Sequence, residues 1–168
     1  SGSGSYVNVG PNPLLEMSRT MTIEAWVYPM ESGSSDMIVN REGEYEIWRR
    51  PDGSLAWAFA NSAPGWAEIN TGAQLPLFQW SHVAVSYDNG VVKSFVNGAM
   101  VHQYNGSGAI GDYSSHTSQD DFRIGWRQAG SDAFDGIIDE VRIWNIARTA
   151  EAVSTSWMRK LSGTEVGL

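Results

Sequence analysis

Apolar and polar residues alternate one by one through many short segments of this chain, and this two-residue repeat constrains the fold more than any other feature. Neighbouring side chains of a β-strand point to opposite faces of the sheet, so such alternation is typical of strands with one buried face. Turn-forming glycines separate the segments. The clearest alternating segments are residues 22–27, 45–48, 55–59, 81–87 and 121–124.

Two Asn-Gly pairs locate a hairpin series. Asn89-Gly90 and Asn97-Gly98 enclose residues 91–96, which is the length of one strand. Both residue types tolerate positive φ, as two-residue hairpin turns require. The sequence therefore predicts a three-stranded antiparallel meander over residues 80–104.

One segment near the C-terminus has helical character. Thr149 is a suitable N-cap, Glu151 suits the first turn, and Arg159 and Lys160 suit the last. We therefore predict an all-β protein, an antiparallel two-sheet jelly-roll sandwich with one short C-terminal helix. The length of 168 residues suits one domain, which we assign to residues 6–168, with residues 1–5 as a linker or tag remnant.

Charge and composition exclude several classes of function. A net charge of −8 argues against electrostatic binding to nucleic acid or anionic lipid. The absence of cysteine excludes thiol catalysis, disulfides and thiolate metal sites. The apolar stretches are too short for membrane insertion.

The sequence does not support an enzyme. Residues 106–111 match the glycine pattern of dinucleotide-binding proteins, but no helix follows to hold a pyrophosphate. Hydrolysis by two carboxylates needs a pair facing each other across a cleft, and no spacing among the 19 acidic residues singles one out. We therefore predict a non-catalytic protein.

The segment 134–145 is the most distinctive of the chain. Strict alternation places Ile137, Val141 and Ile143 on one face, and Asp139 shares that phase. Asp139 is thus predicted to point inward at the mouth of the sandwich, where it must accept amide hydrogen bonds, meet a cation or reach solvent.

With this segment included, the chain resembles the laminin G-like, concanavalin A-like jelly-roll domains of many extracellular and bacterial surface proteins. The resemblance implies two antiparallel sheets of roughly six or seven strands each, with the N- and C-terminal strands adjacent in one sheet. It also implies binding of carbohydrates, glycoconjugates or proteins, often with calcium. The segments that carry it are residues 6–9, 21–29, 79–88, 92–98, 122–125 and 134–145.

A sugar site needs aromatic rings beside hydrogen-bonding side chains. Strand phase places Trp48 on one face with Glu46, and Trp66 on one face with Glu68 and Asn70. Each of these tryptophans is equally interpretable as cover for a neighbouring sheet edge. Trp57, Trp80 and Trp144 are predicted to pack structurally.

A second group of candidates lies near the long loop of residues 106–120. Trp126 and Arg127 follow a strand end and are predicted to reach the loop rim, near Tyr113 and His116.

Calcium is the cofactor that the resemblance suggests, because it accepts carboxylate and carbonyl oxygens without a tight motif. Asp139, with Asn8 from the N-terminal strand, is the first candidate ligand, and Asp36 is another. The alternative is that Asp139 only accepts backbone amide hydrogen bonds.

These observations together predict a non-catalytic, extracellular or cell-surface binding module, part of a larger multidomain protein. The expected partner is a glycan or glycoconjugate, recognised through exposed tryptophans. The alternative is a protein-binding or adhesin module that uses the loop rim to bind a surface protein.

Overall fold

The computed structural model describes residues 5–113, 121–130 and 132–168. A 3₁₀ turn, Pro13–Leu15, follows the first strand, and an α-helix, α1, covers Ala150–Ser156. The strands are β1 (Val7–Gly10), β2 (Thr20–Pro29), β3 (Asp36–Arg41), β4 (Tyr45–Arg49), β5 (Ser54–Phe59), β6 (Ile69–Gln74), β7 (Ser81–Asp88), β8 (Val91–Val96), β9 (Ala99–Asn105), β10 (Phe122–Ile124) and β11 (Gly136–Trp144).

Two antiparallel sheets pack face to face, which confirms the predicted sandwich. The six-stranded sheet has the order β1-β10-β3-β4-β5-β6, and the five-stranded sheet has the order β11-β2-β7-β8-β9. Alternate residues of each sheet point into one core, which holds the fully buried rings of Tyr45, Trp57, Phe59 and Tyr87. Burial of these rings, with the aliphatic residues around them, is the main force that holds the two sheets together.

The meander over residues 80–104 is confirmed as β7, β8 and β9. Asn89 and Gly90 have φ of 47° and 102°, and Asn97 and Gly98 have φ of 50° and 77°. Positive φ at both central residues matches the right-handed twist of the flanking strands.

The helix α1 is confirmed and covers the outer face of the five-stranded sheet. The Thr149 side chain accepts a hydrogen bond from the Ala152 amide at 3.1 Å, and the helix ends at Ser156, before the predicted Lys160. Val153 is buried against Ala84 and Phe95 of that sheet. None of the helices among the described residues is long and apolar enough to span a lipid bilayer.

A buried ion-pair cluster lies beneath α1. The Glu24 carboxylate contacts Arg148 and lies 3.7 Å from Arg142 and 3.5 Å from His82. Burial acts to raise the pKa of Glu24, but hydrogen bonds with His82 and Arg148 outweigh it and hold the pKa below its usual value. The cluster joins β2, β7, β11 and the start of the helix.

The predicted phase of the last strand is confirmed for Val141 and Ile143, which pack on the core, and is wrong for Ile137 and Asp139, which are exposed. A β-bulge between Asp139 and Arg142, with Glu140 at φ 50°, inserts an extra residue opposite β2. Ile138 and Val141 therefore pack on the core, while Asp139 is exposed and accepts a hydrogen bond from the Glu140 amide at 2.7 Å. A bulge has no sequence signal as clear as an Asn-Gly turn.

Two further expectations about the fold are corrected. The terminal strands do not share a sheet, because β1 pairs with β10 in the six-stranded sheet and β11 pairs with β2 in the other. Trp80, which was predicted to pack structurally, packs only in part, since 43% of it is exposed. It lies just before β7 and contacts Trp26 and Tyr28 on the outer face of the five-stranded sheet.

The turn at Gly98 should be sensitive to substitution. A Cβ at Gly98 would lie 2.5 Å from the Trp157 ring, at φ +77°. Gly98→Ala therefore adds a steric clash to the backbone strain of a positive φ. It should lower the free energy of unfolding by about 1–3 kcal/mol more than an alanine that introduces the backbone strain without the clash. Urea denaturation measures this.

Gly72→Ala is the matched control, because Gly72 has φ +73° and open space around its Cβ position. Equal destabilisation of the two variants would show that the Trp157 ring does not pack against this turn.

Candidate functional site

A groove of about 220 Å³ opens on the outer face of the six-stranded sheet. Strands β3, β4 and β5 form its floor, and the segments before β6 and after β10 form its walls. The side chains that line it include Met37, Glu46, Trp48, Ala58, Trp66, Glu68, Arg127 and Asp132.

The pleat of β4 turns two side chains into this groove. Tyr45 and Ile47 point into the core, so Glu46 and Trp48 point to the outer face. On β5, Ala56 lies opposite Trp48 and Ala58 lies opposite Glu46. These small side chains leave the space that becomes the groove.

The two tryptophans predicted for the site are brought together, but not as two equally exposed rings. Trp48 packs with Met37, Ala56 and Ala58, and Trp66 packs against the same cluster. Trp48 is only 7% exposed, so the prediction of an exposed Trp48 is wrong, because its neighbours and Trp66 cover most of it. Trp66 is half-buried. Trp48 therefore forms the fixed floor of the groove, and Trp66 offers the more accessible surface.

A polar cluster closes one end of the groove around Arg127. Its guanidinium donates to both oxygens of Glu42, at 2.9 and 3.2 Å, and its Nε lies 3.1 Å from Oε1 of Glu46. The Asn40 amide donates to Glu46 at 2.8 Å. The backbone amides of Gln128 and Ala129 donate to Asn40 and Glu42, so the loop that carries Arg127 is fixed at both sides of it.

The two carboxyl groups of this cluster have opposite pKa shifts. Burial raises the pKa of Glu46 to about 7, and the nearby Glu42 charge adds to the shift, although Arg127 opposes it. Burial also acts to raise the pKa of Glu42, but its hydrogen bonds with Arg127 outweigh this and hold the pKa below its usual value. One guanidinium cannot fully compensate two buried carboxylates, so Glu46 keeps its proton up to near-neutral pH.

Charged pairs also line the rim. Glu68 forms an ion pair with Arg50, whose Nε lies 3.6 Å from Asp52. Asp132 lies 3.9 Å from Arg127. Of the predicted ligand-binding residues, Trp48, Trp66, Glu68 and Arg127 thus share one groove.

The other predicted ligand-binding residues do not line the groove. The Asn70 side chain accepts a hydrogen bond from the Gly72 amide at 2.8 Å and shapes β6. Trp126 stacks on Tyr6, with ring centroids 5.8 Å apart. Tyr113 is exposed beside the turn between β3 and β4, where its amide donates to the Gly43 carbonyl at 2.7 Å. His116 lies outside the described residues.

Asn40 and Glu42 were missed because a β-bulge between Met37 and Val39 changes the phase of β3. Met37 and Asn40 lie on the same face despite their odd spacing, opposite Trp48 and Glu46. No local pattern predicts the approach of Arg127, which is 85 residues from Glu42 in the chain.

The three candidate calcium ligands do not fit a common site. Asn8 lies in β1 and donates to Asp121, Asp139 is exposed on β11 of the other sheet, and Asp36 is fully buried in an ion pair with Arg49 at 3.0 Å. Among the described residues, no group of three or more His, Cys, Asp or Glu side chains is arranged to hold a metal ion. Calcium binding stays a prediction.

Glu46 should make the stability of this protein depend on pH. Its pKa of about 7 lies above its unfolded value near 4.5, so the folded state holds an extra proton between these values. The free energy of unfolding should therefore fall as pH rises through this window, by up to about 1.4 kcal/mol per pH unit. Urea denaturation from about pH 5 to about pH 8 measures the slope.

Glu46→Gln keeps the shape of the protonated side chain and removes its titration. The variant should lose this negative slope and should gain stability relative to the parent as pH rises. Parallel pH profiles for the two proteins would contradict the assignment of the proton to Glu46.

The family model described as the concanavalin A-like lectin/glucanases superfamily matches residues 1–154. No curated protein sequence matches the chain significantly.

Three solved structures illustrate the shared fold. A proposed carbohydrate binding protein from Bacteroides ovatus is 22% identical with a TM-score of 0.78, and the match covers 98% of this chain and 48% of that one. The chain thus spans about half the length of the Bacteroides protein. The CBM40 of the Ruminococcus gnavus IT-sialidase, bound to α2,3-sialyllactose, is 16% identical with a TM-score of 0.73, over 91% of this chain and 92% of that one.

The third is domain 4 of an extracellular arabinanase from Geobacillus stearothermophilus, in complex with arabinotriose. It is 23% identical with a TM-score of 0.61, over 91% of this chain and 81% of that one. At these identities the likeness establishes the fold, and function has to be argued from the groove.

Proposed function

Because the chain belongs to the concanavalin A-like lectin/glucanases superfamily and carries a tryptophan-lined polar groove, we propose that it is a non-catalytic carbohydrate-binding module. The observation that carries the proposal is the convergence of Trp48 and Trp66 with Glu46, Glu68 and Arg127 in one groove. The proposed carbohydrate binding protein from Bacteroides ovatus, the arabinanase domain in complex with arabinotriose and the CBM40 bound to sialyllactose share this fold and support the proposal.

The groove offers both kinds of contact that a sugar needs. The C–H faces of a sugar ring stack on aromatic rings, and its hydroxyls need hydrogen-bond acceptors and donors. Trp66 supplies the accessible aromatic surface above the Trp48 floor. Glu68 and Asp132 supply acceptors at the walls, and Glu46 adds a carboxyl group on the floor. The volume is below the roughly 300–1,000 Å³ of pockets for drug-sized ligands, so the groove suits a small part of a glycan, such as one sugar ring.

The carboxyl geometry favours binding over hydrolysis. Glu42 and Glu46 have the divergent pKa values of an acid–base pair, but they contact each other and share the Asn40 amide and Arg127. Glycoside hydrolysis needs carboxyl groups about 5–10 Å apart with the substrate between them. Glu42 and Glu46 therefore serve to position Arg127 and to present hydrogen-bond acceptors to a ligand.

We further propose an extracellular setting within a larger protein. The arabinanase domain is part of an extracellular enzyme, and the CBM40 is part of a sialidase. By analogy, this chain would serve as a module that brings the larger protein to a glycan. The assignment of residues 1–5 to a linker and residues 6–168 to one domain also stays a prediction. Calcium binding stays a separate prediction, since Asp139, Asn8 and Asp36 do not line the groove.

Replacing Trp66 should abolish glycan binding with little effect on folding. Trp66→Ala removes a half-buried ring from the wall of the groove, so the melting temperature should change by only a few degrees. A glycan array identifies a ligand for the parent protein, and titration calorimetry with that ligand then compares the variants.

Trp80→Ala is the matched control, because it removes an exposed tryptophan from the other sheet and should leave affinity unchanged. If the array detects no glycan, carbohydrate binding fails and the protein-binding alternative gains. If Trp80→Ala and not Trp66→Ala loses binding, the site is on the other sheet.

Trp48 should affect stability as well as binding. Trp48→Ala removes a nearly buried ring and should cost about 3 kcal/mol of unfolding free energy. Chemical denaturation measures this. A cost near zero would show that Trp48 does not pack against Met37 and the alanines of β5.

A further inference from the structure

We propose that the groove selects uncharged sugars and rejects glycans whose contacting sugar carries a carboxylate, such as sialic or uronic acids. This inference rests on the proposed function and narrows its ligand class. The charges of this chain's own groove determine which ligands it accepts, since the shared fold does not determine the charge of a ligand.

Carboxylates already engage both guanidinium groups at the groove. Arg127 contacts Glu42, Glu46 and Asp132. Arg50, at the rim, contacts Glu68 and Asp52. A ligand carboxylate normally pairs with an arginine through two parallel hydrogen bonds, and Glu42 occupies that face of Arg127.

Displacing Glu42 would be costly. Glu42 is buried, and its Oε2 also accepts hydrogen bonds from the Ala129 amide at 3.2 Å and the Asn40 amide at 3.3 Å. A ligand carboxylate that took Arg127 would leave Glu42 as a buried anion without its cation. Removing one partner of a buried charge pair is strongly unfavourable.

The charges that remain would repel an anion. Five carboxyl groups surround the two guanidinium groups, namely Glu42, Glu46, Asp52, Glu68 and Asp132. The excess of acids persists when Glu46 is protonated. The net charge of −8 on the whole chain adds repulsion at long range, which salt screens.

An uncharged sugar meets no such barrier. Its hydroxyls donate hydrogen bonds, and the rim carboxylates of Glu68 and Asp132 accept them while their ion pairs stay in place. The acids that repel a carboxylate are therefore the groups that suit hydroxyls.

The test uses pairs of glycans that differ in a carboxylate. Lactose with α2,3-sialyllactose, galactan with homogalacturonan, and xylan with glucuronoxylan are immobilised at equal density, and binding is measured at low and high salt. We expect at least one uncharged member to bind and its acidic partner to bind about tenfold more weakly or worse at low salt. The difference should narrow at high salt.

A variant pair separates local charge from net charge. Glu68→Gln removes one rim charge and leaves Arg50 with Asp52 alone. It should therefore reduce the affinity difference between the uncharged and the acidic member of a glycan pair severalfold. Glu151→Gln makes the same change in net charge on α1, at the other sheet, and should leave the difference unchanged.

The outcomes distinguish the two proposals. If acidic glycans bind as tightly as their uncharged partners, and Trp66→Ala abolishes that binding, charge selection is overturned while carbohydrate binding at the groove stands. If no glycan of either kind binds, both proposals fail. If Glu151→Gln narrows the difference as much as Glu68→Gln, the selection comes from net charge and the local argument is overturned.

Discussion

Alternation across the pleat of β4 links the core of this protein to its groove. Tyr45 and Ile47 hold the strand against the opposite sheet, and this orientation turns Glu46 and Trp48 to the outer face. A slip of one residue would exchange the two pairs, burying a carboxylate between the sheets and exposing two large apolar side chains. The packing energy of the core therefore fixes the direction of the groove residues.

The same coupling explains how much of the molecule the sequence predicts. Strands joined by Asn-Gly turns, such as β7 and β8, follow from local rules that hold wherever one face is buried. The bulges in β3 and β11 break that rule, and they explain why Asp139 points outward and why Asn40 was missed. A phase assigned from strict alternation therefore holds on one side of a bulge and is inverted on the other.

The candidate site is predicted less completely, for a related reason. Trp48, Trp66, Glu68 and Arg127 were each identified from local phase or position, and they meet in one groove. Local phase does not predict burial by distant segments, so Trp48 was expected to be exposed. It also gives no information on Arg127 reaching Glu42, because that contact depends on how the loop after β10 returns across β3 and β4.

On the two outer faces of the sandwich, buried carboxyl groups have opposite pKa shifts. Beneath α1, the buried carboxylate of Glu24 lies among Arg142, Arg148 and His82, and its pKa is lowered despite burial. Arg142 also pairs with the exposed Glu140 at 3.1 Å. In the groove, Glu42 and Glu46 share Arg127, and the pKa of Glu46 rises to about 7. In the first arrangement, the buried carboxylate of Glu24 lies between two guanidinium groups beneath a helix, so its charge is compensated within the fold.

The second arrangement has an excess of acids and faces an open groove. Its unfavourable charge balance costs stability that a purely structural cluster would not need to lose. At the accessible rim, Glu68 and Asp132 are the acceptors that a polar, uncharged ligand requires, since its hydroxyls replace the water that otherwise solvates these carboxylates. The face where electrostatics are least favourable to folding is therefore the face where they are most favourable to binding a neutral sugar.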